Sequence, residues 1–477
     1  MDLMVPAPSE EKLKALNEAK ERVRARYGEN RKITDENYDK SLAVRCINGT
    51  FVGQKTDNII AYKGIPFTSK PPVGELRWKA PVEYIPDDGI YEAYYNGKSP
   101  RQGEDISEGG SLYYQSEDCL YLNIYIPEEA AAQEDVLPVM VWIYGGSYNT
   151  GGTGKVSTDS SELRYDMTLF AREANAVVVT FNYRVNLYGF LNLSFINGRF
   201  EPDCGLMDQI MALKFTRKNI ANFCGDPHNI TAFGQSAGAA CIFALMQRRE
   251  DLFDKCILQS PCAEHFFTEE EAVKVGKLYL TLAGVKHAED IFNLSKEKVI
   301  EANSKLIMKM RMKRELRCAF SPYVDGTVIR KHPMDMADIP DIPMLIGNTE
   351  TEGDLFVDEL PKAAVPFIAM HMRLHVKKGK ESYRRRASDA LSEEVYKAPI
   401  RQILEKYPGP AWKYEYCYPY GRLGTGHAGE LPVLFTLESD DVAHDMRRIW
   451  GTFAREGRLP WKEYRDGLSE YKIEHRR

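Results

Sequence analysis

Residues 230–247 read ITAFGQSAGAACIFALMQ. The run opens on four apolar or β-branched residues that suit a short buried strand. It ends on an alanine-rich apolar stretch that suits a helix. Between them stands Gly234-Gln235-Ser236-Ala237-Gly238, a G-x-S-x-G pentapeptide. The pattern is weak by itself, because glycine and serine are common. At a sharp strand-to-helix turn it acquires a mechanical meaning. The serine takes a strained backbone conformation that exposes its hydroxyl, and the small neighbours let adjacent backbone approach. A helix beginning at Ala237 aims its positive dipole end where an oxyanion would form. The plainer alternative is a serine whose side chain merely caps the helix.

Outward from this turn the chain keeps one rhythm. PVMVWIY (138–144), AVVVTFN (176–182), DKCILQ (254–259), PMLIG (343–347) and KYEYC (413–417) are short apolar or β-branched runs, most of them separated by helix-length segments such as 206–219. That alternation predicts βα units feeding a mostly parallel central sheet flanked by helices, an α/β fold. LYLNIYI (120–126) alternates apolar and polar residues and predicts a half-buried strand. Residues 42–63, with Asn48-Gly49 as a turn signal, predict short antiparallel hairpins that form a small N-terminal sheet. Segments 264–316 and 355–405 are polar and helix-rich, which predicts excursions over the carboxyl edge of the main sheet. The economical division is a helical extension over 1–35 and one domain over 36–477.

A serine nucleophile needs a base, an acid to orient that base, and donors for the oxyanion. His427 stands in LGTGHAGELP (423–432), a glycine-rich loop just past the strand-like run 413–417. A loop there can hold an imidazole over the turn. His371 and His375 stand four apart in a basic, helix-like segment, His332 precedes a proline, and His444 lies in a helix-like run. The run 343–347 leads into NTETEGDLF, which offers Glu350, Glu352 and Asp354 as the acid. A glycine directly after Glu352 lets the chain turn there, yet spacing leaves all three open. Tyr144-Gly145-Gly146-Ser147 follows the run 138–144 and can present backbone N–H groups to a substrate oxygen. Each such donor contributes about 3–4 kcal/mol to a transition state.

Composition removes several classes of function. A formal net charge of -6 gives no electrostatic reason for a nucleic-acid or anionic-membrane partner. No apolar run approaches the ~20 residues of a bilayer span. The opening MDLMVPAPSEEKLKALNEAKERVRARYGEN reads as a charged amphipathic helix and lacks the pattern of a secretory signal. Nine cysteines without a CxxC or regular spacing predict neither a disulfide framework nor a metal site. They point to a reducing, cytoplasmic location. The chemistry calls for no cofactor, and a monomer suffices for it.

Ordered motifs over residues 42–460 resemble the type-B carboxylesterase family of α/β-hydrolases. They are EDCLYLNIY (117–125), FCGDPHNITAFGQSAGA (223–239), Gly64–Phe67 with Pro71–Gly74 and Arg77, Asn182-Tyr183-Arg184 with Gly189-Phe190-Leu191, and Gly205-Leu206 with Asp208-Gln209. His427 with Glu430-Leu431, and Trp450 with Phe453-Ala454, complete the set. The resemblance implies a serine carboxylesterase acting on small-molecule esters, with Ser236, Glu352 and His427 as the triad. It implies oxyanion donors at Gly146, Ser147 and Ala237, and structural ion pairs Arg77–Glu117 and Arg184–Asp208. The same machinery serves amides, thioesters or carbamates, and some members of the family are non-catalytic interaction proteins.

Departures from the family pattern stand close to the expected site. Ser147 takes a place usually held by a smaller residue, and Gln235 a place where many relatives carry glutamate, which removes a negative charge near the base. Lys98-Ser99-Pro100 replaces the usual partner of Cys119, so that disulfide is not expected. No tryptophan occurs in 100–118, where cholinesterases hold choline. The basic clusters Arg311–Arg317 and Arg384–Arg386 read as solvated helix faces.

Overall fold

The computed structural model describes residues 14, 18 and 28–475, apart from 104–110, 113, 155, 158–164, 166, 249, 313–314, 316, 358–364, 372–373, 439 and 466–468. The amphipathic helix expected at the N-terminus lies almost wholly outside the described residues.

Among the described residues ten strands form one sheet. Their order is Tyr471–Ile473, Ala411–Tyr416, Met344–Thr349, Lys255–Gln259, Gly225–Gln235, Leu137–Ile143, Val177–Phe181, Tyr121–Pro127, Ile59–Pro66 and Gln54–Thr56. The first seven run parallel to one another, and each of the last three pairs antiparallel with the strand before it. Leu137–Ile143, Val177–Phe181 and Lys255–Gln259 are buried along their whole length, as continuous apolar runs require when helices cover both faces. Trp142 anchors one face, packed on Phe233 and Phe435 with ring centroids 4.9 and 5.0 Å away.

Two sequence expectations are corrected here. The strand Tyr121–Pro127 is not half-buried, since only Tyr121 is partly exposed. Its polar residue Asn123 lies inside, where Oδ1 accepts from Gly64 N–H at 2.9 Å and Nδ2 donates to Thr180 Oγ1 at 3.1 Å. A buried amide with both ends satisfied breaks the link between polarity and solvent. The small N-terminal sheet is mixed. Ala43–Cys46 pairs antiparallel with Gly49–Val52 across the Asn48 turn, but Gly49–Val52 runs parallel to Ile90–Glu92. Lys32–Ile33 joins its far edge, while the second hairpin extends the large sheet.

The helices Cys204–Asn219, Ala237–Leu245 and Asp441–Glu456 pack on the sheet through their buried residues. The excursions contribute Glu269–Leu282, Lys296–Met312, Tyr383–Leu391 and Ala398–Lys406. Thr268 and Glu271 close a reciprocal capping box at the start of the first of these. Both expected ion pairs are present: Arg77 meets Glu117 at 2.5 and 2.9 Å, and Arg184 meets Asp208 at 2.8 and 2.7 Å. Among the described residues no helix is long and apolar enough to cross a membrane.

Candidate active site

Ser236 sits between the strand Gly225–Gln235 and the helix Ala237–Leu245 with φ 58° and ψ -123°, and its side chain makes no capping bond. That conformation is strained for a residue with a Cβ and persists because its surroundings hold it. Ser236 N–H donates to Gln259 O on the next strand at 2.8 Å. A Cβ on Gly238 would stand 2.1 Å from Ile143 O, so only glycine lets the helix lie this close to the neighbouring strand. Ser236 Oγ is left facing Cys262 Sγ at 3.6 Å. Burial pushes the Cys262 thiol up to about 11, so it stands there neutral.

Glu352 leaves the end of the strand Met344–Thr349 and is fully buried. Its Oε2 accepts from His427 Nδ1 at 2.5 Å. Its Oε1 accepts from Ser260 Oγ at 2.5 Å and from Thr349 N–H at 2.7 Å. The two loops are tied together: Thr351 N–H donates to Thr425 O at 3.0 Å, and the two threonine hydroxyls meet at 2.8 Å. Tyr396 and Phe356 cover the imidazole, with ring centroids 4.7 and 5.5 Å away. With Nδ1 donating to a carboxylate, the neutral ring carries its free lone pair on Nε2. That atom meets Gln235 Nε2 at 3.1 Å.

The loop after Leu137–Ile143 carries three successive residues in positive-φ conformations, Gly146 at 120°, Ser147 at 55° and Tyr148 at 58°. Among the described residues, the N–H groups of Gly146, Ser147 and Ala237 have no protein acceptor. Gly145 lets this loop meet the elbow, since a Cβ there would stand 2.5 Å from Gln235 O. Near this loop, Cys318 Sγ lies 3.5 Å from His265 Nδ1. Beside this cluster a cavity of about 430 Å³ is bounded by Glu264, His265, Glu315, Arg317, His332 and Glu394, with Val395 next to Tyr396. Burial holds His265 down to about 4, so its ring is neutral at pH 7.

Residues 40–378 match the sequence model of the carboxylesterase family. The chain belongs to that family. A para-nitrobenzyl esterase of Bacillus subtilis (strain 168) is 30% identical to it, over 88% of this chain and 92% of the relative. A phenmedipham hydrolase of Pseudarthrobacter oxydans is 28% identical over 86% of this chain and 89% of its own length. A solved PNB esterase structure superposes with a TM-score of 0.77 at 28% identity, covering 91% of this chain and 96% of that one. The fold is therefore the α/β-hydrolase fold, and this carboxylesterase is a serine hydrolase of carboxylic esters.

In the carboxylesterase, Glu352 is the one of the three candidate acids that meets His427. Glu350 N–H donates to Tyr416 O, and the Asp354 carboxylate accepts from the Ser388 hydroxyl. Gly353 has a different purpose from the turn expected of it. Its φ is not positive, and a Cβ there would stand 2.2 Å from Ser388 O, so glycine lets the acid loop press against the helix Tyr383–Leu391. His444 is set apart from the site, with Nδ1 on Glu173 Oε2 at 2.6 Å. His375 lies past the end of the helix that His371 closes, so the two share no helical face. Arg317 is held by Glu271 and Glu315, and Arg385 by Asp354 and Asp389, so these parts of the basic clusters are neutralised. Sequence reasoning missed Ser260, Cys262 and Tyr396. Ser260 had a signal, a polar residue directly after a strand; Tyr396 had none.

Proposed function

We propose that Ser236, His427 and Glu352 form the catalytic triad of this carboxylesterase, with Gly146, Ser147 and Ala237 N–H groups as the oxyanion hole. As Ser236 Oγ bonds the ester carbon, its proton passes to His427 Nε2 and the carbonyl π electrons move onto the oxygen, which the three amides receive. Glu352 keeps Nδ1 protonated and stabilises the imidazolium. The imidazolium then gives its proton to the departing alcohol, and water cleaves the acyl-enzyme through the same base. The observation that carries this reading is the buried Glu352–His427 pair at 2.5 Å, whose Nε2 meets the residue directly before a strained serine, together with three amides that have no protein acceptor among the described residues. Nine free thiols suit work in a reducing compartment such as the cytoplasm.

Ser236→Ala tests the reading on 4-nitrophenyl acetate. Loss of about 10⁴-fold or more in kcat/KM is expected, and retention of full turnover would overturn the assignment. A set of aryl esters of graded acyl length, run beside matched anilides and carbamates, then ranks the chemistries. Esters are expected to lead.

A further inference from the structure

The lone pair that Ser236 needs is already engaged. His427 Nδ1 is committed to Glu352 Oε2 at 2.5 Å, which leaves Nε2 as the single basic atom of the ring. Gln235 Nε2 sits 3.1 Å from it, while Ser236 Oγ meets Cys262 Sγ. No hydrogen bond joins Ser236 to His427 among the described residues. The Gln235 side chain is not free to wander: the residue is 4% exposed, and its Oε1 lies where a Cβ on Gly145 would stand only 3.2 Å away. The carboxamide is thus wedged between the donor loop and the base, with its N–H toward the base.

We propose that Gln235 is a positioning residue that competes with Ser236 for the Nε2 lone pair, so that acylation requires its carboxamide to give way. The inference rests on the triad reading above. An amide N–H donates well to a neutral imidazole and opposes an imidazolium, whose Nε2–H would face another donor. A glutamate at 235 would reverse that preference, because its carboxylate accepts from the imidazolium. Other titratable and charged groups about the ring are Glu352, Glu430, His265, Tyr396 and Cys262, and none of them touches Nε2. Position 235 is therefore where the protonation preference of that atom is set.

Two variants and one small probe test this. Gln235→Leu keeps bulk but cannot donate. Losing one competing hydrogen bond is expected to speed phosphonylation of Ser236 by an alkyl fluorophosphonate, with fluoride leaving, about threefold to tenfold. Gln235→Glu is expected to move the acid limb of the kcat/KM–pH profile upward by about one unit or more. A packing change alone would not move that limb. An unmoved limb in Gln235→Glu overturns the proposal, as does phosphonylation of Gln235→Leu at or below the parent rate. If Ser236→Ala remains active, the triad reading has failed instead. If it is inactive and both Gln235 variants match the parent, only the role of Gln235 has failed.

Discussion

Arg184 with Asp208, and His427 with Glu352, are both pairs withdrawn from water near the carboxyl ends of the central strands, yet they spend their hydrogen bonds differently. Asp208 accepts from Arg184 three times, through the backbone N–H at 2.9 Å, Nε at 2.8 Å and one terminal nitrogen at 2.7 Å. Glu352 is also saturated, but only one of its bonds goes to His427; Ser260 and Thr349 take the rest. The imidazole consequently presents its second nitrogen outside the pair, where Gln235 Nε2 meets it at 3.1 Å. A pair turned wholly inward holds the fold, whereas a pair that leaves one nitrogen outside itself is open to chemistry. Both must be buried, because an exposed pair of either kind contributes little.

Breaking the second pair at its working end has the largest expected effect. His427→Ala should lower kcat/KM by about 10⁴-fold or more while thermal unfolding stays near the parent, read by steady-state kinetics beside calorimetry. An equal loss of stability and activity would place His427 with the fold-holding pair. Asp208→Asn should do the reverse. It strands a buried guanidinium and is expected to destabilise by about 3–5 kcal/mol, measured by denaturant titration, with activity per folded molecule retained.

Gly146→Ala sharpens the comparison from the substrate side. The new Cβ would meet Thr150 O at 2.2 Å at a φ of 120°, so the donor loop must distort. A fall in kcat of about 10²–10³-fold is expected, since donors act on the transition state. A change in KM alone would show that the loop only binds.

The smallest effect concerns Glu430, on the helix Glu430–Phe435 that follows His427. Burial, reinforced by the nearby Glu352 charge, pushes its carboxyl up to about 7. Its folded-state value lies above the ordinary one, so the folded chain holds more protons than the unfolded chain between about pH 4.5 and 7. Stability from this group is present below that window and is lost as pH rises through it. Glu430→Gln should therefore unfold at a higher temperature than the parent at pH 8, with a smaller gain at pH 5. An identical pH slope in both proteins would contradict the assignment.

The comparison also explains what could be read from sequence. The saturated core was legible because strands buried on both faces must be continuously apolar, as in residues 138–144. Ser236 was legible because a strand–turn–helix leaves a fixed local pattern. Glu352 was separated from Glu350 and Asp354 only by family resemblance, since all three follow the same strand and only tertiary contact tells them apart. Asn123 misled because a polar residue satisfied by Gly64 and Thr180 mimics an exposed one. Tyr396, in a π-helical turn of an excursion, left no periodic signal, and its place over His427 depends on contacts remote in sequence.

Catalysis as proposed requires that the hydroxyl of Ser236 be the group that the Glu352–His427 pair activates. Intact-mass and peptide mass spectrometry after treatment with a fluorophosphonate asks this directly. One adduct per chain, on the peptide carrying Ser236 and lost in His427→Ala, is the expected result. An adduct on another residue, or undiminished labelling of Ser236 in His427→Ala, would contradict it.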